Sequence, residues 1–308
     1  MRLPLIIAGL FGLAAPAIAQ QNLDSVQIRV ERVAPGVAVL FGAGGNIGLS
    51  YGEDGNVLVD DQFAPLTDRI VAAVASVDPD PIRFVINTHW HFDHTGGNEN
   101  FGGRGAVIVA HDNVRRRMSA DQMLLGEMRR ASPRSALPVV TFAEGVTFHL
   151  NGDTIKVVHV AHAHTDGDAL IHWTRADVLH MGDTFFNGAL PFIDLESGGS
   201  VDGLLAAVEA ALAMTGERTR IIPGHGPMAT RADLIAYRER IRTVRDRVRA
   251  EIRRGRTLQQ IQALGLANAY GRPTDFVPPA RFVETVYNSL RTPPRHSAPH
   301  AAPHGELG

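Results

Sequence analysis

The hexapeptide His89-Trp90-His91-Phe92-Asp93-His94 places three histidines and an aspartate within six residues. It follows an apolar stretch at residues 83–87 that has the pattern of a buried strand. In an extended segment alternate side chains share a face, so His89 and His91 can bind one ion while Asp93 and His94 turn toward a second. Zinc prefers imidazole nitrogen and carboxylate oxygen. The pattern predicts a metal site, with a surface histidine patch as the alternative.

Further ligands are needed, because the hexapeptide alone supplies too few for two ions. Three candidates each follow an apolar stretch and are flanked by small or turn-forming residues: His164, Asp183 and His225. Loops at the ends of strands commonly carry the chemistry of a sheet protein. His162, two residues before His164, would share its face in an extended chain and is an alternative ligand.

The four segments together resemble the metallo-β-lactamase superfamily. Thr-His-x-His-x-Asp-His at 88–94, His-Thr-x-Gly-Asp at 164–168, Gly-Asp at 182–183 and Gly-His-Gly at 224–226 occur in that family's order. The resemblance implies an α/β fold, a four-layer αββα sandwich. It also implies a ligand set, in which Asp183 bridges two zinc ions, the first held by His89, His91 and His164 and the second by Asp93, His94 and His225. It favours His164 over His162, and it assigns Asp60 a bracing role behind the first motif.

The rest of the sequence agrees with two similar halves. Short strands are expected over 26–61, a helix over 65–77, and a strand over 106–110 followed by a helix that Asp112 caps. Asn151-Gly152 between two apolar stretches predicts a β-hairpin, and helices are expected over 201–214 and 231–254. Residues 119–138 are less patterned and are expected to form a mobile flap. Two facing sheets with outer helices fit this order, although a three-layer sheet is the alternative.

The termini and composition limit the cellular context. Residues 1–19 are expected to be a signal peptide, because an apolar run at 3–13 precedes the small-x-small sequence Ala17-Ile18-Ala19; an uncleaved anchor is the alternative. Residues 20–290 form the expected domain, with C-terminal helices from about residue 231, and the Pro- and His-rich 291–308 are expected to be disordered. We therefore expect a periplasmic or secreted protein with no stable membrane insertion after cleavage. A net charge of −2 gives no reason to expect nucleic acid as a partner, and the absence of cysteine excludes disulfides.

These observations predict a hydrolase with two zinc ions that uses metal-bound hydroxide on the acyl bond of a small molecule. Asp93 is the expected catalytic residue, orienting the nucleophile and shuttling its proton. A β-lactam is the leading specific substrate, because of the signal peptide, but Asp183 stands where classical zinc β-lactamases usually carry cysteine and Phe186 where they often carry lysine. The alternatives are a lactone, ester or thioester hydrolase, or a non-enzymatic periplasmic zinc-binding or relay protein. The aromatic residues expected at the pocket lip or in ordinary packing are Trp90, Phe185, Phe186 and Phe192.

Overall fold

The computed structural model describes residues 23–292, so the expected signal peptide and almost all of the expected disordered tail lie outside the described residues. The strands are β1 Arg29–Ala34, β2 Val37–Phe41, β3 Ile47–Ser50, β4 Asn56–Val59, β5 Ile82–Ile86, β6 Val107–His111, β7 Gln122–Leu124, β8 Glu127–Arg129, β9 Val140–Phe142, β10 Gly145–Leu150, β11 Asp153–His159, β12 Ala169–Trp173, β13 Val178–His180 and β14 Arg220–Ile222. The helices are α1 Thr67–Ala75, α2 Phe92–Thr95, α3 Asn98–Gly103, α4 Asp112–Met118, α5 Val201–Met214, α6 Arg231–Arg253, α7 Leu258–Gln262 and α8 Pro279–Arg291. Within residues 23–292 no helix has the length and apolarity needed to cross a membrane.

Two sheets are built one after the other along the chain. The first has the order β1-β2-β3-β4-β5-β6-β9, antiparallel as far as β4 and parallel from β4 to β9. The second has the order β10-β11-β12-β13-β14, in which only the β13–β14 pair is parallel. Both sheets therefore end in parallel strands, whose carboxyl ends lie at one edge and offer loops for a site.

Apolar side chains point to alternate faces of the strands, which explains why the two sheets pack face to face. In β2, Val37 and Val39 enter a core shared with Ile171 and Trp173 of the second sheet. Ala38 and Leu40 point to the opposite side, into a separate core that α1 covers. The outer face of the second sheet packs against α5, α6 and α8. The predicted four-layer αββα sandwich is confirmed, and the three-layer alternative is wrong.

The predicted hairpin at Asn151-Gly152 is also confirmed. Asn151 has φ 54° and Gly152 has φ 70°, the left-handed pair that a tight two-residue turn requires. The 231–254 prediction matches α6, while α1 starts two residues after the predicted residue 65, because residues 64–66 form a 3₁₀ turn.

Residues 119–138, expected to form a mobile flap, contain the β7–β8 hairpin, whose three-residue strands are too short to produce a visible sequence pattern. The mobility of this segment stays a prediction. Two other expectations need correction. The cap of α4 is His111 rather than Asp112, since the His111 ring accepts a hydrogen bond from the Asn113 backbone N–H at 3.2 Å. The histidine hexapeptide is not extended throughout, because α2 begins at Phe92 and forms a single turn.

Candidate metal centre

The loops at one edge of the sandwich bring together all seven residues predicted as metal ligands. The ligand atoms form two groups, each with members within 4.8 Å of one another: His89, His91, His164 and Asp183 in one, and Asp93, His94 and His225 in the other. The first sheet supplies the hexapeptide after β5, and the second supplies the residues that follow β11, β13 and β14. The site therefore lies between the two halves of the chain, and each half supplies some of its residues.

Asp183 lies between the two groups, with one carboxylate oxygen facing each. Its Oδ2 is 3.9 Å from His89 Nε2 and 3.6 Å from His164 Nε2. Its Oδ1 is 3.1 Å from His94 Nε2 and 3.3 Å from His225 Nε2. One carboxylate thus contacts both groups of candidate ligands.

Asp60 holds the first motif from behind, as expected. Its carboxylate accepts hydrogen bonds from the Thr88 backbone N–H at 2.7 Å and hydroxyl at 2.8 Å, and it lies 2.7 Å from His94 Nδ1. The Thr88 hydroxyl in turn lies 2.9 Å from His89 Nδ1. Asp60 has φ 65°, a strained backbone conformation, and such strain concentrates at functional sites. These contacts fix the ring orientation of two candidate ligands.

Asp194 is a functional residue that the sequence did not reveal. Its Oδ2 lies 3.0 Å from His91 Nε2, and its backbone N–H donates to the His164 carbonyl at 2.9 Å. His164 Nδ1 donates to the carbonyl of Phe192 at 2.8 Å. The nearby carboxylates of Asp168 and Asp166 do not take this role. Instead, the Asp168 carboxylate accepts from Thr165, and the Asp166 carboxylate pairs with Arg116 and Arg117.

The His162 alternative does not fit the geometry. His162 Nδ1 contacts the carbonyl of Gly198 at 2.9 Å, and the ring is not in either group of converging ligand atoms. The structure brings His164 into the site, as the order of the motifs favoured.

The donor set fits a metal ion. His91 and His164 each use one ring nitrogen as a donor to Asp194 or Phe192, so in the neutral rings the other nitrogens carry lone pairs. These nitrogens, His91 Nδ1 and His164 Nε2, lie 2.9 Å apart. His89 Nε2 is also buried and makes no hydrogen bond within the described residues. Buried lone pairs that face one another without donors are what a cation satisfies.

The electrostatics of the protein without metal also favour a cation. Burial lowers the pKa of His89 and, with the neighbouring His94, keeps the His89 ring neutral and able to bind metal. Burial opposes charge on His225 as well, but Asp183 and Asp93 outweigh it and raise the pKa of His225 to about 10. Burial opposes the charged form of Asp93, yet His94 and His225 outweigh it and lower its pKa to about 2. Burial opposes charge on Asp183 too, but His225 and His94 outweigh it and hold the pKa of Asp183 well below its usual range, so both carboxylates stay ionised at neutral pH.

Two glycines allow backbone to pack directly on the site. A Cβ at Gly45 would lie 2.1 Å from His94 Cε1, and one at Gly224 would lie 2.1 Å from Asp183 Oδ1. Beside them, the Asn46 amide donates to the carbonyls of Pro223 at 2.8 Å and Gly226 at 2.9 Å. The Asn46 backbone N–H also donates to the Gly224 carbonyl at 2.8 Å. We call these three hydrogen bonds the Asn46 clamp; they join the two halves next to the metal ligands.

A cavity of about 870 Å³ opens onto the site. His91, Asp93, Asp183 and His225 reach it, and most other lining residues are apolar. Of the aromatic residues considered for the lip, Phe186 and Phe192 line the cavity, as does Gly44. Trp90 and Phe185 are packed instead, Trp90 with its indole N–H donating to Ser197 and Phe185 against Tyr237.

Known proteins share both the sequence pattern and the fold. The family model of the metallo-beta-lactamase superfamily matches residues 41–225, more than half of the chain. A hydroxyacylglutathione hydrolase from Polaromonas sp. is 30% identical over 182 residues, which are 56% of this chain, and the chain spans 58% of that relative's length. A metallo-beta-lactamase from Pontibacter korlensis superimposes with a TM-score of 0.59 at 17% identity, covering 69% of this chain and 99% of its own. A sec-alkylsulfatase from Pseudomonas sp. gives a TM-score of 0.64 at 18% identity, covering 85% of this chain and 50% of its own. The chain therefore belongs to the metallo-beta-lactamase superfamily.

Proposed function

We propose that this protein is a dinuclear zinc hydrolase that cleaves an acyl bond in a small-molecule substrate. The observation that carries the proposal is the position of Asp183, whose two oxygens face two separate groups of histidines at the floor of an open cavity. The name of the Polaromonas relative specifies hydrolysis of an acyl-glutathione, which is also an acyl bond.

The chain's own residues have distinct tasks in this reaction. His89, His91 and His164 would hold one ion, Asp93, His94 and His225 the second, and Asp183 both. Zinc bound there would supply Lewis acidity and lower the pKa of a water molecule to about 7.

Asp93 is suited to the catalytic role expected of it. Its side chain is 22% exposed, it lines the cavity, and its Oδ2 lies 3.3 Å from His225 Nε2. Because its pKa is lowered to about 2, it is a carboxylate at neutral pH and can accept a hydrogen bond from water in the cavity. It can thereby orient that water toward a substrate carbonyl, whereas a pKa of about 2 makes it a weak base for the water's proton.

The open cavity favours an enzyme over a zinc-binding or relay protein. Structural zinc sites are closed by protein ligands, whereas catalytic sites keep one position accessible. Here the side chains of Asp93 and His225 are 22% and 31% exposed. A site built only to retain zinc would have no reason to face a cavity of this size.

The lining favours an ester or lactone over a β-lactam. A β-lactam drug carries a carboxylate, which is usually bound by lysine or arginine. Among the described residues that line the cavity, none is lysine or arginine. Two arginines pack against lining rings, Arg129 on Phe92 at 4.4 Å and Arg281 on Phe192 at 5.8 Å.

Metal content and turnover test the proposal together. The purified protein is expected to bind two zinc ions per chain and to hydrolyse at least one of p-nitrophenyl acetate, a γ-lactone, a thioester and the lactam nitrocefin. His91→Ala and Asp183→Ala should abolish turnover and lower the zinc content while the chain still folds. His162→Asn is the matched control, because His162 lies in the same loop but outside the ligand groups and has φ 53°, which asparagine tolerates. Zinc retention with no turnover of any substrate would instead support the binding role.

We also propose that the protein is exported to the periplasm, because residues 1–19 have the features of a signal peptide. Expression of the full chain in a Gram-negative host should yield periplasmic protein that begins at Gln20. Cytoplasmic or membrane-bound protein with residues 1–19 intact would contradict it.

A further inference from the structure

The β7–β8 hairpin forms one wall of the cavity. Leu124 and Leu125 line the cavity from its tip. Leu124 is 2% exposed and packs in a cluster with Trp90, Val114 and Met118. The hairpin thus presents two aliphatic side chains toward the metal ligands.

The backbone of Leu125 adopts a left-handed conformation that leucine rarely takes. It has φ 56° and Gly126 has φ 80°, nearly the same pair as Asn151 and Gly152 in the other tight hairpin. The first position of such a turn favours asparagine, aspartate or glycine, which tolerate a left-handed backbone. Leucine at this position is strained, and strain of this kind concentrates where a side chain has a function. The side chain of Leu125 is only partly exposed and faces the cavity.

The base of the hairpin is fastened to the metal-binding loops. Arg117 donates to Gln122 at 3.1 Å, where β7 begins, and it also pairs with Asp166 two residues after His164. Arg129 in β8 stacks on Phe92 of the histidine hexapeptide at 4.4 Å. These contacts tie the base of the hairpin to the loops that carry the candidate metal ligands.

Apolar residues of the C-terminal half complete the cavity. Leu190, Phe192, Phe276 and Val277 line it, and the Phe192 and Phe276 rings lie 6.0 Å apart. Phe276 is 60% exposed, so its ring offers apolar surface at the cavity. An aliphatic chain that covers it would remove apolar surface from water on both sides.

We propose that Leu125, together with the apolar residues facing it, forms a subsite for an aliphatic acyl chain, so that uncharged esters with a medium-length acyl group are preferred. This inference rests on the proposed acyl hydrolase function and adds the class of substrate. Leu125 is a specificity-determining residue in this scheme, and no proton or bond is transferred at it.

Chain-length dependence of hydrolysis tests the subsite. The unmodified protein should have a KM for p-nitrophenyl octanoate at least about tenfold below that for p-nitrophenyl acetate, because a few methylenes in an apolar pocket give discrimination of this size. Leu125→Asn should raise the KM for the octanoate about tenfold and change that for the acetate less than twofold. Its thermal midpoint should not fall, since asparagine suits the turn. Met128→Thr, a change at a residue 54% exposed in the same hairpin, is the matched control and should leave both KM values unchanged.

The outcomes separate the subsite from the activity. Hydrolysis of both esters with equal KM values, or an unchanged octanoate KM in Leu125→Asn, would overturn the subsite and leave the acyl hydrolase standing. If neither ester is hydrolysed, titration calorimetry of the zinc-loaded protein with octanoate and with acetate tests whether the subsite exists. Octanoate binding at least about tenfold tighter than acetate, lost in Leu125→Asn, would support the subsite even though the activity had failed. Equal binding would overturn it.

Discussion

Asp194→Asn removes one negative charge from behind His91 and keeps the size of the side chain. The carboxylate lies 3.0 Å from His91 Nε2 and is 4% exposed, so solvent screens it little. Its other oxygen accepts from the Ser197 backbone N–H at 3.0 Å, a bond that asparagine can still make. With that oxygen kept in place, the asparagine NH2 faces His91 Nε2 and cannot accept its proton, so the substitution removes both the charge and the hydrogen bond behind one candidate ligand.

The expected loss follows from the strength of that hydrogen bond. A bond to a charged partner contributes about 1.5–3 kcal/mol and a neutral one about 0.5–1.5 kcal/mol. Losing the charged bond, about 1.5 to 3 kcal/mol, corresponds to a roughly 10- to 150-fold fall in affinity for one zinc ion. Measured effects of replacing such outer partners reach about 10- to 100-fold, which agrees with this range.

Competition with a chromophoric chelator measures the zinc affinity, and thermal unfolding of the metal-free protein checks the fold. Asp177→Asn is the matched control. Asp177 also accepts a side-chain hydrogen bond, from the Thr219 hydroxyl at 2.6 Å, but it lies at the opposite end of β13 from Asp183. Zinc affinity of folded Asp194→Asn within twofold of the unmodified protein would refute the argument that this carboxylate supports His91.

Two further substitutions test the site and the fold. Gly224→Ala puts a Cβ 2.1 Å from Asp183 Oδ1, so zinc content should fall below two per chain by elemental analysis, whereas Gly103→Ala, where a Cβ meets nothing within 4 Å, should keep it. Burial, with a smaller contribution from His159, lowers the pKa of His111 from 6.5 to about 4, so the unfolded chain takes up a proton before the folded one does. The free energy of unfolding should therefore fall by up to about 3 kcal/mol as pH drops from 6.5 to 4. His111→Asn keeps a capping side chain and should flatten this slope in urea titrations; an unchanged slope would contradict the assignment.

The sequence predicted the parts of the site that are local. His89, His91, Asp93 and His94 are neighbours in the chain, and each of the remaining ligands follows an apolar strand, so a motif and a strand end identify them. The facing sheets also follow from local pattern, because residues such as Val37 and Ala38 alternate between two cores.

What the sequence did not predict depends on contacts between distant segments. Asp194 lies in a stretch without regular secondary structure and meets His91 only through the fold, 103 positions away. The sequence around Gly45 does not indicate that its backbone packs directly against the His94 ring. The strands of the β7–β8 hairpin have three residues each, too few for a periodic pattern. In each case tertiary packing, rather than local propensity, decides the outcome.

The Asn46 clamp has a consequence for how the protein acquires its metal. Three hydrogen bonds already tie residue 46 to residues 223–226, and none of them uses a ligand atom. The two halves can therefore close on each other before any ion arrives, unlike small zinc domains that stay unfolded until metal binds. We therefore expect zinc to enter a site that is already formed, without folding of the chain as a preceding step.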